Sequence, residues 1–517
     1  MSSPEWLKKA VFYEIYPQSF YDSNDDGVGD LRGIIRKLDY IKAIGFNALW
    51  LNPIFESTFF DAGYDVVDYY KVDKRYGGNR ALYALIKACK AKGIRLFLDL
   101  VPGHTSIASP WFKKSQLARK NEYTDRYIWK EDAWNIDPEF RWVFGFTQRS
   151  GAVLTNFFSI QPALNYGFKD IKHPEYEQSY KDEGPQKTIH AIIDVIRHYL
   201  RLGVDGFRVD MAGYLVKRDD NKEANIAVWN QIFADVRKDY PEAGFVSEWN
   251  EPEKSLRAGF DMDFLLQDPF TQTNTLLTRK ENAYFRFNQD TTDTTRYFED
   301  FTKQLCFALD TGHYVSLITD NHDDPRISHY LSPEEMYFWF TFMLTMPNVP
   351  FFYYGDELAM PYIGNMTSVE GGYQRTGTRV PMYWDKTKPN AGFSKAKKTL
   401  IPVKGCKKSV DVKQALKDKH SLLHKLQDMI AFKQSHIALD NDHTFTLLTN
   451  GNSHTPLSYL ASKNGETLLI AFNTSRNEQI LAKAIAPGDI LRSEGDVLLD
   501  EDKVILRPHS FLIAKLD

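Results

Sequence analysis

A short stretch of opposite charges, Gly203 to Asp210, is where the sequence most clearly offers chemistry. Apolar Phe207 and Val209 alternate with Arg208 and Asp210, so period-two geometry places the guanidinium and the carboxylate on one face of a strand. Such a pair is either a buried ion pair of structural value or a catalytic carboxylate kept ionised by a cation. The stretch alone favours the structural ion pair, and the rest of the chain changes that balance.

The elements that must position these charges alternate between strands and helices. Apolar strands and amphipathic helices follow one another from Val11 to Tyr354, and about eight strands occur in this order. Strand–helix alternation is typical of parallel sheets with right-handed crossovers. The predicted fold class is therefore α/β, a (β/α)8 TIM barrel, whose first strand is expected over Val11 to Phe20.

Two parts of the chain depart from this alternation. The segment from Thr105 to about Tyr166 is rich in aromatic and charged residues without a clear period, which predicts an inserted B subdomain after strand 3, over residues 105–170. After the helix Ser421 to Gln434, short strands with turns predict an all-β C-terminal sandwich over residues 438–517. The barrel then comprises residues 1–104 and 171–437.

Composition restricts the class of protein further. The 517 residues carry 64 basic and 68 acidic side chains, a balance unlike that of polybasic nucleic-acid or membrane binders. The N-terminus lacks the apolar core of a secretory signal, and Cys89, Cys306 and Cys406 form no CxxC pair. We expect a cytoplasmic protein with no nucleic-acid or membrane partner, while the oligomeric state stays open.

Acidic side chains recur at the carboxyl ends of the predicted strands, where barrel enzymes carry their active sites. They are Asp99, Asp210, Glu248 and Asp323. Glycoside hydrolysis needs one carboxylate to attack or stabilise an oxocarbenium-like centre and one carboxylic acid to protonate the leaving oxygen. Arg208 is expected to keep Asp210 ionised, and a partly apolar site is expected to raise the pKa of Glu248 toward that of a working acid.

An acidic turn follows the first predicted strand. Oxygen-bearing side chains alternate along it and two glycines bend it, which is the arrangement that a hard cation needs. No bidentate glutamate closes the loop, because the twelfth position is Gly33, so a plain solvated turn is the alternative. The candidate ligand positions are Asp22, Asn24, Asp26, Val28 and Asp30.

Four stretches together resemble the alpha-amylase family of glycoside hydrolases. In family order they are Asp99–His104, Gly206–Asp210, Ser247–Trp249 and Asn321–Asp323. The resemblance implies Asp210 as nucleophile, Glu248 as general acid/base and Asp323 as transition-state stabiliser. It also implies four residues that bind the reacting sugar: Tyr64 as a stacking platform, with His104, Arg208 and His322.

Within that family the sequence is most similar to the alpha-glucosidase and oligo-1,6-glucosidase branch. The segments Gln161–Asn165 and Arg375–Trp384 carry this likeness. In that branch an Asp and an Arg close the pocket over the terminal glucose, and Asp65 and Arg379 are the expected counterparts. The acidic turn resembles the branch's calcium loop, so a structural Ca2+ is expected, with Mg2+ as the alternative, and no organic cofactor.

Three departures from the family pattern matter. Gly103 and Ala163 stand where calcium-dependent amylases ligate a calcium beneath the active site, and neither has a side-chain oxygen, so no metal is expected there. Tyr383 replaces a glutamine near the outer subsites. Met211 is neither the valine nor the threonine that tends to mark 1,6 or 1,4 preference, so the linkage stays open.

Three functional hypotheses follow from the sequence. The first is a retaining exo-alpha-glucosidase acting on short alpha-linked gluco-oligosaccharides, with its two carboxyl groups about 5 Å apart. The second keeps the site but passes the glucosyl group to another sugar, as a transglucosidase or a sucrose- or trehalose-type isomerase does. The third is a catalytically silent relative like the heavy chains of amino-acid transporters, which ranks last because all three carboxylates are present.

Overall fold

Eight parallel strands form the centre of the molecule. The computed structural model describes residues 3–134, 137–266, 273–278, 283–287, 294–452, 454–482, 487–500 and 503–516. Within these ranges the barrel strands are Phe12–Ile15 (β1), Ala48–Leu51 (β2), Arg95–Leu100 (β3), Gly206–Val209 (β4), Gly244–Ser247 (β5), Met262–Leu265 (β6), Tyr314–Leu317 (β7) and Phe351–Tyr353 (β8). Parallel pairing of β1 with β8, and a bridge between Ile318 and Phe351, close the sheet. The predicted TIM barrel is confirmed.

One main helix follows each barrel strand. These helices are Leu31–Ile44 (α1), Gly78–Lys92 (α2), Glu183–Leu202 (α3), Glu223–Val236 (α4), Pro252–Arg257 (α5), Thr295–Asp310 (α6), Pro333–Thr345 (α7) and Leu422–Ser435 (α8). Short helical turns lie at Glu5–Lys9, Pro17–Phe20, Lys74–Tyr76, Pro110–Ser115, Ala212–Tyr214, Asn274–Leu277, Ile327–His329, Asp356–Leu358, Tyr373–Gly377, Pro389–Gly392, Cys406–Lys408, Val412–Ala415 and Ile437–Leu439. The described residues contain no helix long and apolar enough to cross a membrane.

The first strand is shorter than predicted. It ends at Ile15, and Pro17 opens a helical turn that continues to Phe20. Proline suits the first position of a helix because the missing amide would have no helical partner there. The expectation of one strand from Val11 to Phe20 is therefore wrong in its second half.

Inward-facing side chains change from apolar to polar along the barrel. A lower layer of Phe12, Trp50, Phe97, Val246, Phe264 and Phe351 fills the interior. Two residues further along β1, β2, β3 and β5 stand Glu14, Asn52, Asp99 and Glu248, because alternate residues of a strand share a face. Gly206 sits below Arg208, where a Cβ would come within 2.0 Å of the Gly244 carbonyl oxygen. The apolar layer thus forms a packed base for a polar upper layer.

Two excursions from the barrel flank its carboxyl end. A hairpin of Phe55–Ser57 and Val66–Val72 follows β2, and its loop carries Asp61 and Tyr64. The segment predicted as the B subdomain contains the helical turn Pro110–Ser115 and a three-stranded antiparallel sheet of Trp129–Lys130, Arg141–Phe144 and Ala152–Thr155. His104 and Ala163 pair at the base of this segment.

The C-terminal part is all-β, as predicted. Its strands are Thr444–Asn450, Leu457–Lys463, Glu466–Asn473, Gln479–Ala482, Pro487–Glu494, Val497–Asp500, Lys503–Leu506 and Ser510–Leu516, in sheets of five and three strands. Helix α7 joins this part to the barrel. A capping box of Ser332 and Glu335 starts α7, and Phe338 of this helix packs against Phe511.

Candidate active site

A single guanidinium group, that of Arg208, links three carboxylates at the top of the barrel. Its Nη1 lies 2.8 Å from Asp99 Oδ1 and 3.0 Å from Asp210 Oδ1, and its Nη2 lies 2.8 Å from Glu248 Oε1. Asp210 and Glu248 directly follow β4 and β5, which pair in parallel and so deliver both acids to the same edge of the sheet. Arg208 and Asp210 lie on one face, as period-two spacing predicted.

The backbone directly after Asp210 also points at Glu248. Met211 adopts the left-handed conformation, with φ 45° and ψ 42°, and its amide donates to Glu248 Oε2 at 3.0 Å. This conformation is costly for a residue other than glycine, and such strain concentrates at functional sites. The two acids are therefore linked twice, through the Met211 amide that follows Asp210 and through the guanidinium of Arg208.

Burial controls the protonation of this pair of acids. Removal from water raises the pKa of Asp210 to about 7, against the attraction of Arg208 and with help from Asp99 and Asp323. Burial likewise raises the pKa of Glu248 to about 7, and the negative charge of Asp210 contributes. The pKa of Glu248 shifts in the expected direction, and for Asp210 burial opposes the ionised state that Arg208 favours. Since like charges resist ionising together, the pair shares one proton near neutral pH.

Asp323 differs from this pair because two arginines hold it. Burial works against its negative charge, but the positive charges of Arg375, with Nη1 at 2.9 Å, and Arg379, with Nη2 at 2.6 Å, both face its Oδ1. The neighbouring His322 is neutral, since burial lowers its pKa well below the ordinary value. Asp323 is therefore the permanently charged carboxylate of the site.

Two stacked aromatic rings lie beside these acids. Tyr64 and His322 stack with centroids 5.3 Å apart and an interplanar angle of 7°. The Tyr64 hydroxyl lies 2.6 Å from His322 Nε2 and 3.0 Å from Asp99 Oδ2. On the far side, His104 Nε2 donates to the Tyr64 carbonyl oxygen at 3.0 Å, and burial lowers the pKa of His104 to about 4, so this ring is neutral.

These groups surround a cavity of about 490 Å³. Its lining residues are Asp61, Tyr64, His104, Phe157, Phe158, Asp210, Met211, Glu248, Asp323, Tyr373 and Arg375. Five predicted site residues are thus brought to one cavity. Three others, Arg208, His322 and Arg379, lie beneath its surface with at most 2% of their area exposed. Phe157, Phe158 and Tyr373 were not predicted as site residues, since an aromatic residue in an irregular segment gives no distinguishing sequence signal.

The predicted pair that closes the pocket requires a correction. Asp65 is fully buried, and its carboxylate accepts hydrogen bonds from the side chains of Ser57 and Thr58 and from two backbone amides. The chain turns at Gly63, with φ 108°, and Asp65 is used to stabilise that turn. The acid that faces the cavity is Asp61.

The arginine that pairs with Asp61 is Arg375, four residues before the predicted Arg379. Arg375 Nη2 lies 3.1 Å from Asp61 Oδ1, and its Nη1 reaches Asp323 across the cavity wall. Arg379 does not line the cavity; it supports the floor by donating to the carbonyl oxygen of His322 at 2.7 Å and to Asp323. The Asp–Arg ion pair that lines the cavity is therefore Asp61–Arg375.

The family model for "Alpha amylase, catalytic domain" matches residues 14–442, most of the chain. This chain belongs to the alpha-amylase family. Among curated members, it is 28% identical to trehalose synthase/amylase TreS of Mycobacterium tuberculosis, over 92% of this chain and 83% of that protein. It is 27% identical to the oligo-1,6-glucosidase of Heyndrickxia coagulans, over 92% and 93% of the two chains.

Solved structures of the alpha-amylase family share the fold. An inactive double mutant of the trehalulose synthase MutB in complex with isomaltulose superposes with a TM-score of 0.82, covering 99% of both chains at 23% identity. At that identity the likeness concerns the fold alone. The family match shows an alpha-amylase family glycosidase.

A lysine lies near the position where many alpha-amylase family members bind calcium beneath the active site. The amide of Asn156 donates to the Gly103 carbonyl oxygen at 2.9 Å, and Lys217 Nζ donates to Asn156 Oδ1 and to the Tyr214 carbonyl oxygen, each at 3.2 Å. Burial lowers the pKa of Lys217 to about 8. A protein cation thus connects the B segment to the loop after Asp210.

The acidic turn is organised by its own backbone. Asp22 accepts from the amides of Asn24, Asp25 and Gly27, and Asp30 caps α1 by accepting from Gly33. The side-chain oxygens of the turn are of the type that a hard cation prefers as ligands. In the described part of the chain, the one set of three acidic or histidine side chains whose ligand atoms converge within 4.8 Å is Asp137, His173 and Glu177, not this turn. The cation at Asp22, Asn24, Asp26, Val28 and Asp30 stays a prediction.

Proposed function

We propose that this protein is a retaining, exo-acting alpha-glucosidase that hydrolyses short alpha-linked gluco-oligosaccharides. The observation that carries the proposal is one cavity lined by Asp210, Glu248 and Asp323 and bounded by the ion pair Asp61–Arg375. A charged pair next to the reacting centre offers hydrogen bonds to the hydroxyls of a terminal sugar. This favours release of one terminal glucose at a time.

The proposed mechanism uses the single proton of the acid pair. Glu248 carries it and protonates the glycosidic oxygen while Asp210, anionic beside Arg208, attacks the anomeric carbon. The C–O bond breaks, and the glucosyl group becomes an ester of Asp210. Glu248 then deprotonates a water that hydrolyses this ester, so the alpha configuration is retained. The charge of Asp323 stabilises the oxocarbenium-like transition states of both steps.

Two further features belong to this proposal. A Ca2+ or Mg2+ held by the turn Asp22–Asp30 would be structural, because hydrogen bonds tie that turn to the start of α1 rather than to the cavity. A cytoplasmic location is supported by the three cysteines, all free thiols in the structure.

A second candidate function keeps the site but changes the acceptor. A further cavity of about 550 Å³ adjoins the first and shares His104, Phe157, Asp210 and Met211 with it. A second sugar retained there could attack the glucosyl ester in place of water. Relatives named trehalose synthase add support to this transglucosidase or isomerase hypothesis.

Product analysis separates the two functions. The protein is incubated with isomaltose, maltose, panose and sucrose, with Asp210→Asn as the control, and the products are resolved by chromatography. Free glucose as the main product supports the glucosidase and shows which linkage is cleaved. New disaccharides with little glucose support sugar transfer, and no turnover of any of the four contradicts both.

A further inference from the structure

One buried carboxyl group in the site has no part in the mechanism above. Glu14 lies on β1, fully buried, next to the polar upper layer of the barrel. Its Oε1 is 2.9 Å from His322 Nδ1 and 3.1 Å from Asn52 Nδ2. Its Oε2 has no hydrogen-bond partner, and no lysine or arginine within the described ranges pairs with it. An ionised carboxylate would leave a bare charged oxygen in this position.

The other ring nitrogen of His322 faces acceptors. His322 Nε2 lies 2.6 Å from the Tyr64 hydroxyl oxygen and 3.5 Å from Asp323 Oδ2. Asp323 is held as an anion by two arginines, so a lone pair on Nε2 would point at negative charge. The geometry therefore requires the proton of this neutral ring to sit on Nε2 and leaves Nδ1 as an acceptor.

Two groups face His322 Nδ1, because Asn52 Nδ2 also lies 2.9 Å from it. With Nδ1 as the acceptor, one proton order satisfies the contacts that run from Glu14 to Asp99. Glu14 donates its acid proton to His322 Nδ1, His322 Nε2–H donates to the Tyr64 oxygen, and the Tyr64 hydroxyl donates to Asp99 Oδ2. Asp99 ends the chain because it is paired with Arg208. If Glu14 were ionised, it would draw the proton to Nδ1 and reverse the next link. Burial favours the neutral acid and raises the pKa of Glu14 well above its ordinary value.

We propose that Glu14 is a protonated positioning residue that, together with Asn52, holds His322 in the Nε2–H tautomer, so that the ring presents a hydrogen rather than a lone pair to Tyr64 and Asp323. The inference rests on the proposed function in that His322 is taken as a ligand of the sugar. Glu14 itself contacts no reacting group and acts only through its contact with His322. In the sequence, this residue is recognisable as a glutamic acid within the otherwise apolar strand Phe12–Ile15.

Neutron diffraction of deuterated wild-type protein reads the tautomer directly. We expect deuterons on Glu14 Oε1 and on His322 Nε2. A deuteron on His322 Nδ1 beside a bare Glu14 carboxylate overturns the proposal. Because this readout needs no substrate, it stays decisive even if the wild-type protein turns over none of the sugars above, an outcome that would contradict the proposed function alone.

Two matched variants test the same point by kinetics. Glu14→Gln keeps the shape and supplies an N–H donor to Nδ1, so kcat/KM should stay within about threefold of wild type. Glu14→Met has similar length but neither donor nor acceptor, and we expect kcat to fall at least tenfold with KM less affected. Melting temperatures report folding of both variants. A Gln variant as impaired as the Met variant, with both folded, contradicts a neutral Glu14.

Discussion

At the scale of single residues, the chemistry depends on one proton shared by Asp210 and Glu248. Burial raises both pKa values to about 7, the negative charge of Asp210 adds to the shift of Glu248, and Arg208 bridges the two acids. Only the state with Glu248 protonated and Asp210 ionised is productive. Asp323, held by two arginines, does not compete for that proton.

The pH profile follows from this shared proton. We expect a bell-shaped kcat/KM profile that declines on the acid side, as Asp210 takes up a second proton, and on the alkaline side near pH 7, as Glu248 loses its own. Glu248→Gln should remove the alkaline limb and lower kcat/KM for maltose about 10²–10⁴-fold. Glucosyl fluoride, which needs no acid, serves as the control and should lose far less. An unchanged alkaline limb in the variant would assign that proton elsewhere.

Asp61 and Asp65 form a second residue-scale test, since they lie in one loop but have different partners. Asp61→Ala removes the partner of Arg375 at the cavity and should lower kcat/KM about 10–100-fold, with little change in melting temperature. Asp65→Ala leaves several donors unsatisfied and should cost about 3 kcal/mol of unfolding free energy. A loss of kcat/KM in Asp65→Ala together with a loss of stability in Asp61→Ala would instead identify Asp65 as the pocket residue.

These two acids also show where prediction from sequence ends. The shared face of Arg208 and Asp210 was predictable because alternation along a strand is local. Whether Asp61 or Asp65 faces the cavity depends on a turn at Gly63 and on Arg375, 314 residues away in the chain. Glu14 went unrecognised for a similar reason, since its partner His322 lies 308 residues away.

At the scale of elements, the acidic turn acts through α1 rather than through the active site. Asp30 caps α1, and Ser394 donates to Asp22 at 2.6 Å, so the turn joins the start of α1 to a distant loop. Alternation of strands and helices was readable from the sequence, because each element carries its own period. The end of β1 could not be predicted from the sequence, because Pro17 can either end a strand or start a helix.

Removal of the proposed cation should therefore reduce stability and leave catalysis intact. We expect chelation to lower the melting temperature. The loss in unfolding free energy is about 2–3 kcal/mol if the ion was present at 100 times its dissociation constant. The value of kcat/KM at 25 °C should not change. Asp26→Asn, in the exposed part of the turn, should abolish the response to added Ca2+. Identical melting curves with chelator and with excess Ca2+ would exclude a bound ion.

At the scale of the whole molecule, the barrel and the C-terminal sheets share one core. Buried residues of α7 and of the C-terminal strands belong to one continuous apolar cluster, with Phe338 on Phe511 and Phe342 near Tyr459. The Tyr459 hydroxyl also lies 2.6 Å from Thr345 Oγ1. The C-terminal part therefore stabilises the helix that closes the barrel.

A shared core should unfold as one unit. Differential scanning calorimetry is expected to give a single transition for the full chain, because separation of the two parts would expose the apolar surface of α7. Substituting Tyr459→Phe, which removes only the hydroxyl, should move that single peak slightly downward. Two resolved peaks would show that the parts unfold independently.

The central claim is that Asp210 forms a covalent glucosyl ester, and trapping that ester tests it most directly. A fluorinated glucosyl fluoride that is attacked faster than its ester is hydrolysed is incubated with the wild-type protein, followed by proteolysis and peptide mass spectrometry. The account predicts one glucosyl label, on Asp210, and none in Asp210→Asn. A label on Asp61 or Asp323, or turnover with inverted configuration and no label, would contradict it.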